Sequence, residues 1–329
     1  MNIEHLKNYC YLVSRSKDIK YKLQKFFVLN VPVVIFRDNN GILRGFIDYC
    51  PHRGVPLSQG KLTNNCVKCC YHGWEFNFEG VCENIPALEN APRFCLKKIF
   101  VEECNGYVFV SLNSNPYSLY NIPDLDSHNH YYWKRTVNGD LIDVLENFLD
   151  ATHTPFIHQY LIRSPKKAQK IYVQVKCFDR GVTIHYTGEN KQSGIISKLF
   201  EKERFQSDSL FQMPSIAEIN YYSKNGLSLK IRAYLTPTTT NLHDIHALFY
   251  FPKSTIVPGF LKYMFAWPFF QLAFLQDKKI VENQFKNKAY VKEYSPIYCE
   301  ADLVRKHLVN LIVNSSFTSQ ASYSRVITV

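Results

Sequence analysis

Apolar and polar positions change rhythm along this chain. Residues 1–20 place Leu6, Tyr9, Cys10 and Val13 on one face at helical spacing, which predicts a covering helix. From Phe26 to Phe36 the residues are mostly Val, Ile and Phe. Asp38-Asn39-Asn40-Gly41 then reads as a turn and Ile42 to Tyr49 as extended chain, so a hairpin is expected. More short strands follow, with turns at Glu79-Gly80 and Asn105-Gly106, through Tyr107 to Leu112. Asn113-Ser114-Asn115-Pro116 marks a boundary, giving a small, mostly β domain over 1–115 and a second domain over 116–329.

The second domain opens on Leu141 to Tyr160, apolar at helical spacing. Strands are predicted at Lys170–Phe178 and Val182–Thr187 around Asp179-Arg180-Gly181, at a pair turning on Lys224-Asn225-Gly226, and from Asp244 to Phe251. Residues 260–290 read as one long helix or a kinked pair, and Ala301–Val313 as a last short helix. The class is therefore α+β: an all-β domain, then an antiparallel sheet with helices. Residues 257–275 are strongly apolar, but Lys262, Pro268 and Gln271 interrupt them, leaving runs far below the roughly 20 residues a membrane crossing needs. A buried helix beside a pocket is the better reading. Phe148, Phe265, Trp267, Phe269 and Phe270 could line that pocket or simply form core.

Composition narrows the function. Net charge is +11, yet the basic residues are scattered, the longest cluster being Lys166-Lys167 with Lys170, which argues against a nucleic-acid partner. The excess is read as a lysine-rich solvated surface, with docking of an acidic electron-donor protein as the alternative. The first twenty residues lack the apolar core of an export signal, and ten cysteines in such a chain point to a reducing compartment, the cytoplasm.

The stretch Cys50 to His72 carries the first chemistry. Cys50-x-His52 and Cys69-x-x-His72 lie sixteen residues apart and offer two thiolates and two imidazoles from neighbouring turns. That is the donor set of a Rieske cluster, in which one iron takes the cysteines and the other the histidines. A tetrahedral zinc is the rival, although zinc-finger histidines usually follow the cysteines as a pair. A second constellation is Asp150-x-x-His153-x-x-x-x-His158. Two histidines and a distant carboxylate make the facial triad of a non-haem ferrous site. On a regular helix residues five apart are about 140° apart, and Pro155 supplies a cause for distortion. His243 and His246, three apart in a predicted strand, face opposite sides and are read as structural.

In Cys50-Pro51-His52-Arg53-Gly54, Leu57-Ser58-x-Gly60 and Tyr71-His72-Gly73-Trp74-x-Phe76, and again at Asp150, His153 and His158, the chain resembles the Rieske non-haem iron oxygenases in their terminal oxygenase subunit. The resemblance implies a helix-grip catalytic domain. It further implies a [2Fe-2S] cluster on Cys50, His52, Cys69 and His72, and one ferrous ion on His153 and His158. Asp150 would be the link between His153 and His72 of a neighbouring subunit in a head-to-tail homotrimer. The family's carboxylate ligand on a late helix matches Asp277, with Glu282 as the alternative. Cys70 departs from the family, which usually has proline there, and Val55 removes the loop-bridging disulfide of respiratory Rieske proteins. Cys70 is accordingly expected to be a small packed thiol. The chain carries no flavin or nicotinamide fingerprint, so electrons from NAD(P)H would arrive only through a separate reductase or ferredoxin. The implied reaction is hydroxylation or demethylation of an apolar, aromatic or polycyclic small molecule with O2. A desaturase and a pure electron carrier are the alternatives.

Overall fold

The computed structural model describes residues 4–63, 65–90, 92–117, 121–189, 193–200, 204–253, 258–291, 293–316 and 321–329. The described residues form two compact units, one within 4–122 with 236–240 and the other within 123–235 and 241–329.

The first unit is all β. Strands β1 (Tyr11–Arg15), β2 (Gln24–Val28), β3 (Val31–Arg37), β4 (Leu43–Ile47), β5 (Lys61–Thr63), β6 (Cys66–Lys68), β7 (Glu75–Asn77), β8 (Cys82–Asn84), β9 (Phe100–Cys104) and β10 (Tyr107–Ser111) build three antiparallel sheets, ordered β1-β10-β9, β2-β3-β4 and β5-β6-β7-β8. The predicted N-terminal helix is not formed. After a single 3-10 turn at Glu4–Asn8 the chain enters β1, which pairs with β10 nearly a hundred residues away. Tyr9 to Val13 are all buried, a continuous run that suits a covered strand better than one face of a surface helix. Residues 1–3 of that expectation lie outside the described residues. The predicted hairpin is a three-stranded meander, because Leu29 and Asn30 both take positive φ (51° and 66°) and fold Phe26–Phe36 back on itself.

The second unit holds an eight-stranded antiparallel sheet in the order β11-β17-β16-β15-β14-β13-β12-β18. Its strands are β11 (His128–Asn138), β12 (Lys170–Phe178), β13 (Gly181–Thr187), β14 (Gln206–Gln212), β15 (Ile216–Ser223), β16 (Gly226–Thr239), β17 (Leu242–Pro252) and β18 (Ser322–Thr328). β12 alternates exposed and buried along its length, the signature of a strand with one covered face. The helices are α1 (Leu141–Leu149), α2 (Thr154–Ile157), α3 (Ile195–Phe200), α4 (Gly259–Lys288) and α5 (Arg305–Leu308), the last continuing into a π turn at Val309–Val313. α4 is one continuous helix despite Pro268 and packs on β11 and β17, while α1 packs on α4, β14 and β15. This arrangement is the expected α+β architecture. No helix among the described residues is long and apolar enough to cross a membrane. Val257, the first residue of the apolar stretch, lies outside the described residues.

Candidate metal centres

Two loops, one joining two sheets and one closing a hairpin, present the four residues of the first constellation. The loop after β4 carries Cys50 and His52, and the β6–β7 loop carries Cys69 and His72. The first loop closes by Gly54 N–H donating to Cys50 O and Cys50 N–H to Val55 O, both at 2.8 Å, with Gly54 at φ 73°. Asp48, almost fully buried, accepts from the Ser58 amide and hydroxyl at 2.7 Å each and ties the loop to the strand before it. A Cβ on Gly60 would lie 2.2 Å from Lys68 O, so only glycine lets the two loops come together. The thiols of Cys50 and Cys69 are buried side by side, and burial with the neighbouring thiol pushes Cys50 up to about 11. The rings of His52 and His72 are 4.5 Å apart, and His52 stacks on Trp74 at 4.5 Å and 7°. The donors thus divide into a sulfur side and an imidazole side. A single tetrahedral zinc would draw all four donors to one point, whereas paired thiols and paired imidazoles suit two irons. The set fits a two-iron cluster.

Cys70 is exposed at the tip of the second loop, not packed. The Cys69 amide donates back to Trp74 O at 2.8 Å, which turns the intervening residues outward.

The second constellation sits where α1 stops. Asp150 leaves the helical region at ψ 132°, and its carboxylate accepts from the Thr152 amide at 2.8 Å and the His153 amide at 3.2 Å. The helix therefore breaks before Pro155. That proline lies in the first turn of α2, where its missing N–H costs nothing, and it is not the cause of the distortion. Arg163 pins the break from below, donating to Ala151 O at 3.0 Å and Thr154 Oγ1 at 2.6 Å. Its other side pairs with Glu189 at 2.7 Å, which also pairs with Arg204 at 2.7 Å. Nothing in the spacing of Arg163, Glu189 and Arg204 relates them to the histidines, so the sequence alone does not point to them.

The new direction after the break brings His153 and His158 to Asp277 of α4. Asp277 Oδ1 lies 3.4 Å from His153 Nε2 and 3.0 Å from His158 Nε2, and all three donor atoms fall within 4.8 Å. Ligands about 2.1 Å from one ion and at right angles to each other are about 3 Å apart, so the set fits a facial triad with open positions. Among the described residues it is the one such group of three or more. Glu282 instead accepts from the Asn138 amide at 3.1 Å and pairs with Lys278. Asp150 Oδ2 lies 3.4 Å from His153 Nδ1, on the opposite edge of that ring from Asp277. Burial opposes charge on His153, but hydrogen bonds to Asp150 and Asp277 prevail and hold it up to about 9. His243 and His246 are buried elsewhere, on Gly139 O and the Tyr132 hydroxyl respectively.

Beside the triad lies a cavity of about 170 Å³ walled by Trp133, Phe148, Ile219, Phe249, Phe270 and Phe274, with Tyr186, Arg204 and Ser207 as polar members. Of the five expected pocket aromatics only Phe148 and Phe270 line it. Phe265 and Trp267 are exposed on the outer side of α4, and Phe269 packs against the core.

Fold and donor sets together define a protein of two iron centres, a cluster-binding β domain followed by a sheet-and-helix domain with a mononuclear site. The fold is that of dicamba monooxygenase bound to dicamba (TM-score 0.78, 20% identity, 94% of this chain and 97% of the other) and of Pseudomonas putida CBB5 NdmA with caffeine (0.76, 19%, 94% and 90%). Residues 9–99 match the Rieske [2Fe-2S] domain, and residues 138–307, just over half the chain, match the vanillate O-demethylase oxygenase C-terminal domain. The chain belongs to the Rieske non-haem iron oxygenases, as an alpha-type subunit. Among curated relatives, the toluene-4-sulfonate monooxygenase system iron-sulfur subunit of Comamonas testosteroni is 34% identical over 40% of this chain and 40% of its own length. Chloroplastic protein TIC 55 of Arabidopsis thaliana is 32% identical over 38% and 25%. The matched stretch is less than half of each relative's length.

Proposed function

We propose that this chain is a terminal oxygenase component that hydroxylates or demethylates a small apolar, aromatic substrate using O2. The observation that carries the reading is the triad of His153, His158 and Asp277 opening on an apolar cavity. In this reading Cys50, His52, Cys69 and His72 hold the cluster, and His153, His158 and Asp277 the ferrous ion. Bound there, the cluster supplies electrons singly and the ferrous ion activates dioxygen.

The protein's own part is positional. Asp150 accepts from His153 Nδ1–H, which leaves Nε2 free to ligate. Thr152 steadies that carboxylate through amide and hydroxyl contacts at 2.8 Å. Aromatic walls keep bulk water from the reacting carbon. An engineered cavity of about 150 Å³ holds benzene, so a space of about 170 Å³ supports a substrate whose reacting part is a single ring. Electrons come from a separate ferredoxin or flavin reductase that draws on NAD(P)H. The chain acts as a head-to-tail homotrimer, in which Asp150 meets His72 of a neighbouring subunit. A second cleft, formed by Asp143, Glu146, Asp150, His153 and Tyr294, supports that route by opening on Asp150. None of the ten cysteines, all among the described residues, is in a disulfide, which supports a reducing, cytoplasmic setting.

Anaerobic purification with iron and sulfide counting tests the reading. One more iron than sulfide per chain is expected, with substrate-dependent oxygen uptake in a screen of single-ring compounds. Equal iron and sulfide in the fully reconstituted protein would overturn it.

A further inference from the structure

Both ring nitrogens of His158 are held by adjacent residues of α4. Nε2 lies 3.0 Å from Asp277 Oδ1, while Nδ1 lies 2.8 Å from Gln276 Oε1. His158 is 1% exposed, so its ring nitrogens depend on partners inside the protein. A histidine that ligates through Nε2 must carry its proton on Nδ1, and that proton needs an acceptor. The amide oxygen of Gln276 is one. Were the amide nitrogen turned toward the ring, Nδ1 would have to accept, the proton would move to Nε2, and the ligand position would be blocked.

We propose that Gln276 is a positioning residue of the mononuclear site, fixing the tautomer and plane of His158 so that Nε2 faces the position shared with His153 and Asp277. The inference rests on the metal-site reading above. It also separates the two histidines chemically, since His153 is oriented by the carboxylate of Asp150 and His158 by a neutral amide. Gln276 and Asp277 are neighbours in sequence, so one turn of α4 supplies both the acceptor that orients His158 and the carboxylate that shares its ion.

The test uses the full-length protein with its cluster intact, stripped of mononuclear metal and titrated with Co(II) by equilibrium dialysis. Gln276→Leu should bind Co(II) about ten- to a hundred-fold more weakly, the usual cost of losing such a partner. Gln276→Glu, which restores an acceptor oxygen, should bind within a few-fold of wild type, with cluster content and thermal midpoint of both variants unchanged. If the leucine variant does not fold, Gln276→Met decides by the same criterion. Wild-type affinity in the non-accepting variant overturns the inference, as does equal loss in Gln276→Glu, which would mark a packing role. His158→Ala separates the two levels. Retention of Co(II) there defeats the metal-site reading itself, whereas loss there with retention in Gln276→Leu defeats only the role of Gln276.

Discussion

Trp74 lies flat on His52, ring centroids 4.5 Å apart and planes within 7°, although the two residues come from different loops. Trp74 is itself stacked on Phe94 at 5.5 Å. The indole is thus a wall against which one imidazole of the first centre is set. Trp74→Ala should cost about 2 kcal/mol, below the ~3–5 kcal/mol of a fully buried tryptophan, and should broaden or lose the visible spectrum of the cluster. Trp74→Phe should keep both. A cluster spectrum in Trp74→Ala identical to wild type would contradict this.

Asp277 and Glu282 are five residues apart on α4 and meet different partners. Asp277→Ala should remove the mononuclear metal while leaving sulfide content unchanged. Glu282→Gln should keep the metal, with a stability change of about 0.5–1 kcal/mol from one weakened hydrogen bond. Iron and sulfide analysis of the two variants checks this, and metal loss in Glu282→Gln alone would reverse the assignment.

In the metal-free protein His153 is held up to about 9, against an ordinary 6.5. Its charged form contributes stability in full below about pH 6.5, and that contribution is lost as pH rises through 9. A divalent ion must displace the same proton, so its affinity should rise with pH up to about 9. Thermal midpoints of metal-free wild type and His153→Gln across this range should converge toward the alkaline end. Co(II) affinity that is flat from neutral to alkaline pH would count against it.

Glu189 sits between Arg163 and Arg204, and all three are buried. Burial alone would raise its carboxyl, but the guanidiniums outweigh that and hold it below the usual range. Removing one member of a buried ion cluster typically costs about 3–5 kcal/mol. Because Arg163 also holds Ala151 O and Thr154 Oγ1, Glu189→Gln should lower the thermal midpoint of the second unit and weaken mononuclear metal binding. The cluster spectrum should be unchanged. Loss of the cluster with retention of the mononuclear metal would refute this.

Much of the molecule was legible in local patterns. The alternation along Lys170–Phe178, the turns at Asn105-Gly106 and Asn225-Gly226, and the cysteine–histidine spacings all act over a few residues, where side-chain direction and backbone freedom follow from the residues themselves. β14 and β18 show no strand rhythm in the sequence, because Ser207, Asp208 and Ser209 are polar yet buried and Ser322–Thr328 is mostly exposed. Over Tyr11–Arg15 helical spacing and a fully covered strand look alike until the partner strand is known. What only the tertiary structure decided is convergence: Asp277 rather than Glu282 beside His153 and His158, Gln276 on Nδ1, Cys70 in solvent, Phe265 and Trp267 outside the cavity. Local spacing names which residues can bind a metal. Which of them meet depends on how segments more than a hundred residues apart pack, and that is settled by the burial of the whole sheet and helix, to which no single motif is privy.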